Sequence, residues 1–421
     1  MNTISQKDAS MRWWMLLLLS LTLLAMTLNW FDISAAFPQL GQQFHLNISQ
    51  LSSLIALFIL GFAVFHIPAG MLAYRIGVKN TLLLGLLLES LGGIASAFAP
   101  NYAWLAVLRF LTGVGGTFII GMALSLVTSW FRGRELALAM GLVGGVAFTL
   151  GEAIALFGWV GLIEATGWST AIVIGGVIGL IIFVVCLLFL RVPSHEVEQL
   201  SAGTFQWKAM RRVLGNRDLW LIGLSFFGVY GAGITTAQLL TTYLVQVYHL
   251  SIANGGLIAA VYVLMAIPGS ILGGFVGDRT KNLRAVFVVP WVVLGLTLAL
   301  FSFLGFTGVW IMVIVAGACQ LVGFSAWTAA PGHYRDRVFP EDVATAEGLL
   351  LTVSGLGGFI VPIIFGLIAS GSGFTPAFIF GGVVSLVFAL IGFMAREPKS
   401  VSATAVEPIA SFEEAFEAPH N

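Results

Sequence analysis

Charge is the scarcest ingredient of this chain. Asp, Glu, Lys and Arg make up 9% of its 421 residues, whereas 58% are hydrophobic and the mean hydropathy is +0.99. Soluble domains carry about 25% charged residues, so a water-exposed globule is excluded. The 19 basic and 19 acidic residues cancel. No dense basic patch or base-reading motif accompanies them, which removes nucleic acid as a partner. Cysteine is almost missing: Cys186 and Cys319 each lie in an apolar stretch with no ligand-spaced neighbour. They support neither a disulfide framework nor a thiolate metal site, and both read as small buried hydrophobes. The glycine runs Gly113-Val-Gly115-Gly116 and Gly355-Leu-Gly357-Gly358 lack the Lys-Ser/Thr of a phosphate loop. They read as places of close helix approach, and ATP is excluded as the energy source. With no nucleophile and base pair, metal cluster or cofactor motif, the chain is not expected to be an enzyme or to need a cofactor.

What the sequence does have is apolar runs near the roughly 20 residues a helix needs to cross a bilayer. Twelve are read, at about 14–38, 52–74, 80–98, 102–125, 136–162, 170–190, 218–243, 254–276, 284–304, 309–330, 343–369 and 375–394. All Lys and Arg except Arg109 fall in alternate gaps between these runs: Lys7/Arg12, Arg75/Lys79, Arg132/Arg134, the group from Arg191 to Arg217, Arg279/Lys281/Arg284, Arg335/Arg337 and Arg396/Lys399. The other gaps, near 39–51, 99–103, 163–169, 244–254, 305–308 and 370–375, hold none. Basic loops stay on the cytoplasmic side. Both termini are therefore expected in the cytoplasm, with the protein multi-pass in a cell membrane, the inner one in a bacterial host. The run Trp13–Phe37 follows two basic residues as a signal peptide would. It is too long for a signal core, lacks a convincing cleavage site and carries Asp32, so it reads as a retained span. The Asn47-Ile48-Ser49 sequon reads as chance. The expected organisation is a cytoplasmic N-terminus (1–12), a six-helix bundle (13–190), a cytoplasmic linker (191–217), a second six-helix bundle (218–396) and a solvated, disordered acidic tail (397–421).

The two halves echo each other. Ile67-Pro68 recurs as Ile267-Pro268, and Gly70-Met-Leu-Ala-Tyr74-Arg75 as Gly274-Phe-Val-Gly-Asp278-Arg279, the mark of an internally duplicated transporter. With Gly77 and Lys79, the first loop resembles the signature between helices 2 and 3 of the major facilitator superfamily, except that Tyr74 replaces an acid. The second has Lys281 where the later glycine would be. Leu105, Arg109, Gly113 and Gly115 resemble the superfamily's helix-4 arginine motif, common in proton-coupled members. The resemblance spans residues 13–396 and implies an all-α major facilitator fold, with twelve helices in two pseudo-symmetric six-helix bundles working as a monomer. It also implies secondary active transport by alternating access, with helices 1, 4, 7 and 10 lining the cavity. Gly70, Arg75, Gly77, Lys79, Gly274, Asp278 and Arg279 become cytoplasmic gating residues. Gly151 is followed by Glu152 where the superfamily's drug antiporters typically carry Gly-Pro, which weakens antiport.

Asp32, Glu89, Arg109 and Glu152 are the ionisable residues deep inside spans, where an unpaired charge costs several kcal/mol. Asp32 lies six residues before Pro38 and Arg109 seven after Tyr102, so their depths match and a direct pair is expected. Asp32, Arg109 and Glu152 are candidates for proton coupling or charge relay, with the proton gradient as driving force. Glu89 and His66 read as structural. Trp30, Tyr230, Gln238, Tyr262, Gln320 and Trp327, with Tyr243 beside them, are candidates for the cavity wall. Aromatic faces with a few amides suit a small organic solute. A neutral or cationic solute, exported as a metabolite or drug-like compound, is favoured over a multivalent anion, and a proton-coupled monocarboxylate or other organic-anion symporter stays open. Protons, the solute and membrane lipid are the expected partners; a non-transporting membrane receptor or an intramembrane enzyme is the other class of reading. Single cysteines engineered in 39–51 and 191–217 are expected to react with impermeant reagents from opposite sides of the membrane.

Overall fold

In the computed structural model, residues 6–131, 134–192, 207–280, 282–334, 338–339 and 342–397 are described. These are helical throughout, with no strand among them. Span 1 is Gln6–Gln43, span 3 Val78–Ser96, span 4 Tyr102–Trp130, span 5 Leu138–Thr166, span 6 Trp168–Phe189, span 7 Arg217–Tyr248, span 8 Ile252–Gly277, span 11 Val343–Ser372 and span 12 Phe374–Ile391. Span 2 is Ile48–Val64 continued at a 52° bend by Pro68–Ile76. The remaining run, Leu283–Gly332, has 50 residues. As a straight helix it would reach about 75 Å, against a hydrocarbon core of about 30 Å. It folds back instead at the short turn Phe301–Leu304, where Gly305 takes φ +61°, a left-handed value that a side chain would strain. Leu283–Leu300 is thus span 9 and Gly305–Val322, extended by Phe324–His333, is span 10, lying side by side. The linker contributes a short helix, Trp207–Leu214. Span 1 departs from its expected end: the helix runs through Pro38 to Gln43. Proline removes one hydrogen bond from the ladder, and in a membrane bundle the neighbouring helices hold the rest.

The duplication is visible atom by atom. Each Ile-Pro pair breaks its helix three residues earlier, at Phe65 and at Met265, because proline cannot donate to the carbonyl one turn back and its ring crowds that carbonyl. Beyond each break the ladder resumes with equivalent bonds, from Ala69 N to Phe65 O (2.8 Å) and from Gly269 N to Met265 O (3.2 Å). At the basic face, the last span of each bundle is clasped in the same way by different residues. Lys79 Nζ donates to Leu187 O and Trp130 Nε1 to Arg191 O, at 3.0 and 3.2 Å. In the second half Arg284 donates to Phe393 O and Ala395 O, at 3.1 and 2.6 Å, and the Tyr334 hydroxyl donates to Arg396 O.

Within the bundles, helices approach so closely that backbone meets backbone. A Cβ on Gly113 would stand 2.0 Å from Phe58 O, and one on Gly61 2.2 Å from Phe110 O, so spans 2 and 4 interlock reciprocally. Gly269 and Gly273 do the same for span 8 against Ala318 O and Val322 O of span 10, at 2.1 Å each. Apolar side chains gain little from leaving lipid for a helix interface, so such close approach supplies much of the packing energy. Gly113→Ala is expected to lower stability by about 1–3 kcal/mol through overpacking. Gly121→Ala, with nothing within 4 Å of the added carbon, should be neutral or slightly stabilising; thermal unfolding in detergent compares the two.

Candidate functional site

The two bundles meet along the half of the membrane nearer the loops that lack basic residues. There Ser34 Oγ of span 1 donates to Gln238 Oε1 of span 7 at 2.7 Å, with both side chains fully buried. Ser49 N of span 2 donates to Ser370 Oγ of span 11 at 2.8 Å, and Gly256 of span 8 lies against Leu156 O of span 5. Contact continues to mid-depth, where Gly355 packs on Ala63. Toward the basic loops the bundles part. His66–Ile76 and Ala266–Arg279 make their extended contacts within their own bundles, so the space between the halves opens on that side.

At the closed end of this space Glu152 meets the second bundle. Its neighbour Gly151 is wedged on span 1, where a Cβ would collide with Thr27 Oγ1 and Leu24 O. Successive helical residues point about 100° apart, which turns Glu152 away from span 1. It sits in the short α-helical piece Phe148–Ala153 between two π-helical stretches, Gly141–Ala147 and Ile154–Gly158, a distortion that recurs at functional sites. Glu152 acts electrostatically on Tyr230 of span 7 and Tyr262 of span 8. The Tyr262 hydroxyl donates to Gln320 Oε1 of span 10 at 3.1 Å. Gln320 rests on Gly233 of span 7, and the Tyr230 ring on Gly358 of span 11. Four residues singled out in the sequence, Glu152, Tyr230, Tyr262 and Gln320, are thereby brought together from both bundles.

The other candidates lie elsewhere. Gln238 belongs to the seal. Trp327 is fully buried in the second bundle with Phe226, Trp291 and Phe324, and its Nε1 donates to Ile222 O at 2.7 Å. Tyr243 packs edge-on among Phe301, Phe374 and Phe378. Trp30 is buried in the first bundle, stacked on Phe58 at 4.6 Å and edge-on to Phe148. The His66 ring lies edge-on to Phe62, with Nδ1 3.3 Å from Ala63 O.

A second polar cluster sits inside the first bundle. Arg109 is 2% exposed and Asp32 is 2% exposed, yet no ion pair within 4 Å joins them. The guanidinium donates instead to Asn29 O (3.3 Å) and Trp30 O (2.7 Å) and lies over the Phe58 ring. A helical carbonyl keeps a second lone pair for such a donor, so the backbone of span 1 takes the place expected for the carboxylate. Asp32 Oδ2, Glu89 Oε1, Arg109 Nε and Asn29 Oδ1 have no hydrogen-bond partner among the described residues, although Arg109 interacts electrostatically with both Asp32 and Glu89. Asn29 was missed in the sequence; its spacing of three from Asp32 puts both on one helix face, the only available signal.

Of the loop residues, Gly77 joins spans 2 and 3 at φ +89°. Lys79 is committed to the clasp on span 6. Arg75 and Tyr74 are exposed, and Gly70 and Gly274 have no close neighbour. The Arg279 guanidinium covers the Phe275 ring at 3.4 Å. The Asp278 side chain and Lys281 lie outside the described residues.

The family model described as Major Facilitator Superfamily matches residues 18–290 and 240–419, essentially the whole chain. The protein belongs to the major facilitator superfamily. Membership makes it a multi-pass membrane transporter of small solutes, with the two-bundle fold described above. It is 24% identical over 357 residues to the nitrite extrusion protein of Bacillus subtilis (strain 168), covering 84% of this chain and 87% of that one. It is 25% identical over 407 residues to the hexuronate transporter of Escherichia coli (strain K12), covering 92% and 94%. Among solved structures, a bacterial homologue of the human lysosomal transporter Spinster, inward-facing and unoccupied, superposes with a TM-score of 0.74 at 20% identity over 91% of this chain and 97% of that chain. Neither named relative is a drug exporter, so the expectation of drug-like efflux draws no support from them. In this facilitator the seal itself is testable. Ser34→Ala leaves the buried Gln238 amide without its partner, which should cost the closed face about 1 kcal/mol, or about a fivefold shift in the closed-to-open ratio. Faster labelling of an engineered cysteine below the seal, from that side, would report it.

Proposed function

We propose that this facilitator carries a small organic solute by alternating access and couples its movement to protons. The carrying observation is the convergence of Glu152, Tyr230, Tyr262 and Gln320 at the blind end of a space open toward the basic loops. A solute seated there touches both bundles, so rocking of the halves exposes it to one side and then the other. Basic loops mark the cytoplasm, which makes this conformation inward-open and both termini cytoplasmic. Asp32 and Arg109, side by side in the first bundle, serve as the coupling site. Trp30, stacked on Phe58 and edge-on to Phe148 of span 5, links the two clusters. Gln238, at the seal, senses whether the far side is shut.

The chemistry of the central cluster favours a hydroxylated neutral or cationic solute. One carboxylate, two phenols and a carboxamide offer acceptors and neutral donors, whereas Arg109 is buried with its guanidinium on span 1 carbonyls. A second reading, a proton-coupled organic-anion symporter, is favoured by the anions named for the relatives, nitrite and hexuronate. It requires Arg109 to leave those carbonyls, or Glu152 to bind the anion through its own proton. Counterflow in proteoliposomes without nucleotide, screened over sugars, polyols, amines and monocarboxylates, identifies the class; absence of counterflow for every class in a folded preparation would count against the proposal. Asp32→Asn should abolish accumulation driven by a pH gradient while keeping exchange down the solute gradient, because Asn imitates only the protonated acid. Tyr262→Phe should raise KM about fivefold to tenfold by removing one orienting hydrogen bond of about 1–1.5 kcal/mol.

A further inference from the structure

We infer that Glu89 is a second proton-binding carboxylate of the coupling site, and that Asp32 and Glu89 hold one proton between them beside Arg109. The inference rests on the coupling role proposed for Asp32 and adds a residue that sequence reading set aside as structural.

Glu89 stands on span 3 and is 1% exposed. Span 3 reaches span 4 at glycine: a Cβ on Gly115 would stand 2.8 Å from Glu89 N and 3.0 Å from Glu89 Cβ, and one on Gly116 3.7 Å from Glu89 Oε1. The carboxyl group is thus aimed along the glycine face of span 4, within the electrostatic reach of Arg109 and Asp32. The charged groups acting on Glu89 are Arg109 from span 4 and Asp32 from span 1. Span 2 brings aromatic rings, with Phe58 and Phe62 lying against Gly116. Span 6 brings glycines: Gly176 and Gly179 lie against Ser90, and Gly175 against Asp32 Oδ2 and Asn29 Oδ1.

One guanidinium therefore faces two buried carboxyl groups and pairs directly with neither. With both acids ionised the cluster carries a net charge of −1 in a dry interior, the state that buried neighbours avoid by retaining a proton. With one acid protonated the cluster is neutral. The guanidinium, held on carbonyls of span 1 and carried by span 4, decides which acid keeps the proton. A movement of span 4 that brings it to Asp32 leaves the proton on Glu89, and the opposite movement transfers it to Asp32. Proton binding converts one carboxylate to a carboxylic acid; release into the open cavity reverses this.

Infrared spectroscopy of the purified full-length protein at neutral pH, without substrate, tests the inference in a Glu152→Gln background that removes the third carboxyl group deep inside a span. The parent should show a protonated-carboxyl C=O band that shifts on deuterium exchange. Glu89→Gln and Asp32→Asn should each abolish it, because a single remaining carboxylate balances Arg109 and ionises. Persistence of the band in Asp32→Asn would overturn the inference, since it would mean that Glu89 holds a proton of its own as a structural acid. Persistence in Glu89→Gln would overturn it equally. Asp32→Ser replaces the Asn variant if the latter does not fold. Because no substrate is present, this result is separate from the transport assay, in which an unaffected pH-driven accumulation by Asp32→Asn would defeat only the coupling role of Asp32.

Discussion

An ionised side chain inside a bilayer has no water to answer its charge, and the first bundle is arranged around one such group. Arg109 spends two donors on backbone carbonyls of span 1 and its charge on the Phe58 ring and two carboxyl groups. Spans 1, 2, 3 and 4 are thereby tied to a single guanidinium. Removing it would take a donor from two carbonyls and leave two buried acids without an opposing charge, and a buried charge left uncompensated is costly. Its charges interact without being locked in a short ion pair.

The same scarcity of polar partners explains the packing. Each helix satisfies its own backbone, so helices are free to approach until carbonyl meets glycine, as at Gly113 and Phe58 or Gly269 and Ala318. Contacts of that kind are rigid within a bundle. Between bundles, glycine contacts such as Gly256 on Leu156 O are joined by side-chain hydroxyls and one amide at the seal and by aromatic and polar groups at the centre. A duplicated chain thus yields two glycine-packed halves that meet along one plane. The two proline breaks, at Phe65 and Met265, fall in span 2 and span 8, where each half leaves that plane toward the basic face.

The duplicated clasps show how function and folding separate in this chain. Lys79 was read as a gating residue because of its loop, yet its ammonium closes the end of span 6, as Arg284 closes the end of span 12. The exposed basic side chains of the two loops are Arg75 and Arg279. Glu152 shows the opposite case, a departure from a family motif that turns out to face the other bundle because Gly151 must face span 1.

Twelve crossings, the duplication and the family were legible in the sequence, because bilayer thickness and repeated Ile-Pro landmarks act locally along the chain. Depth was legible too: Asp32, Glu89, Arg109 and Glu152 all proved to lie within the bundles. Direction was not. A span of mixed apolar residues has no strong polar face, so nothing in the sequence says whether Gln238 points to the cavity or the seal, whether Trp327 faces solute or core, or that Arg109 chooses the carbonyls of Asn29 and Trp30 over Asp32. Those outcomes depend on helix rotation, and rotation is decided by which glycine meets which backbone on a neighbouring helix. The sequence by itself determined how many helices cross; the tertiary structure alone decided which side chains meet, because their partners lie on helices far apart in the chain.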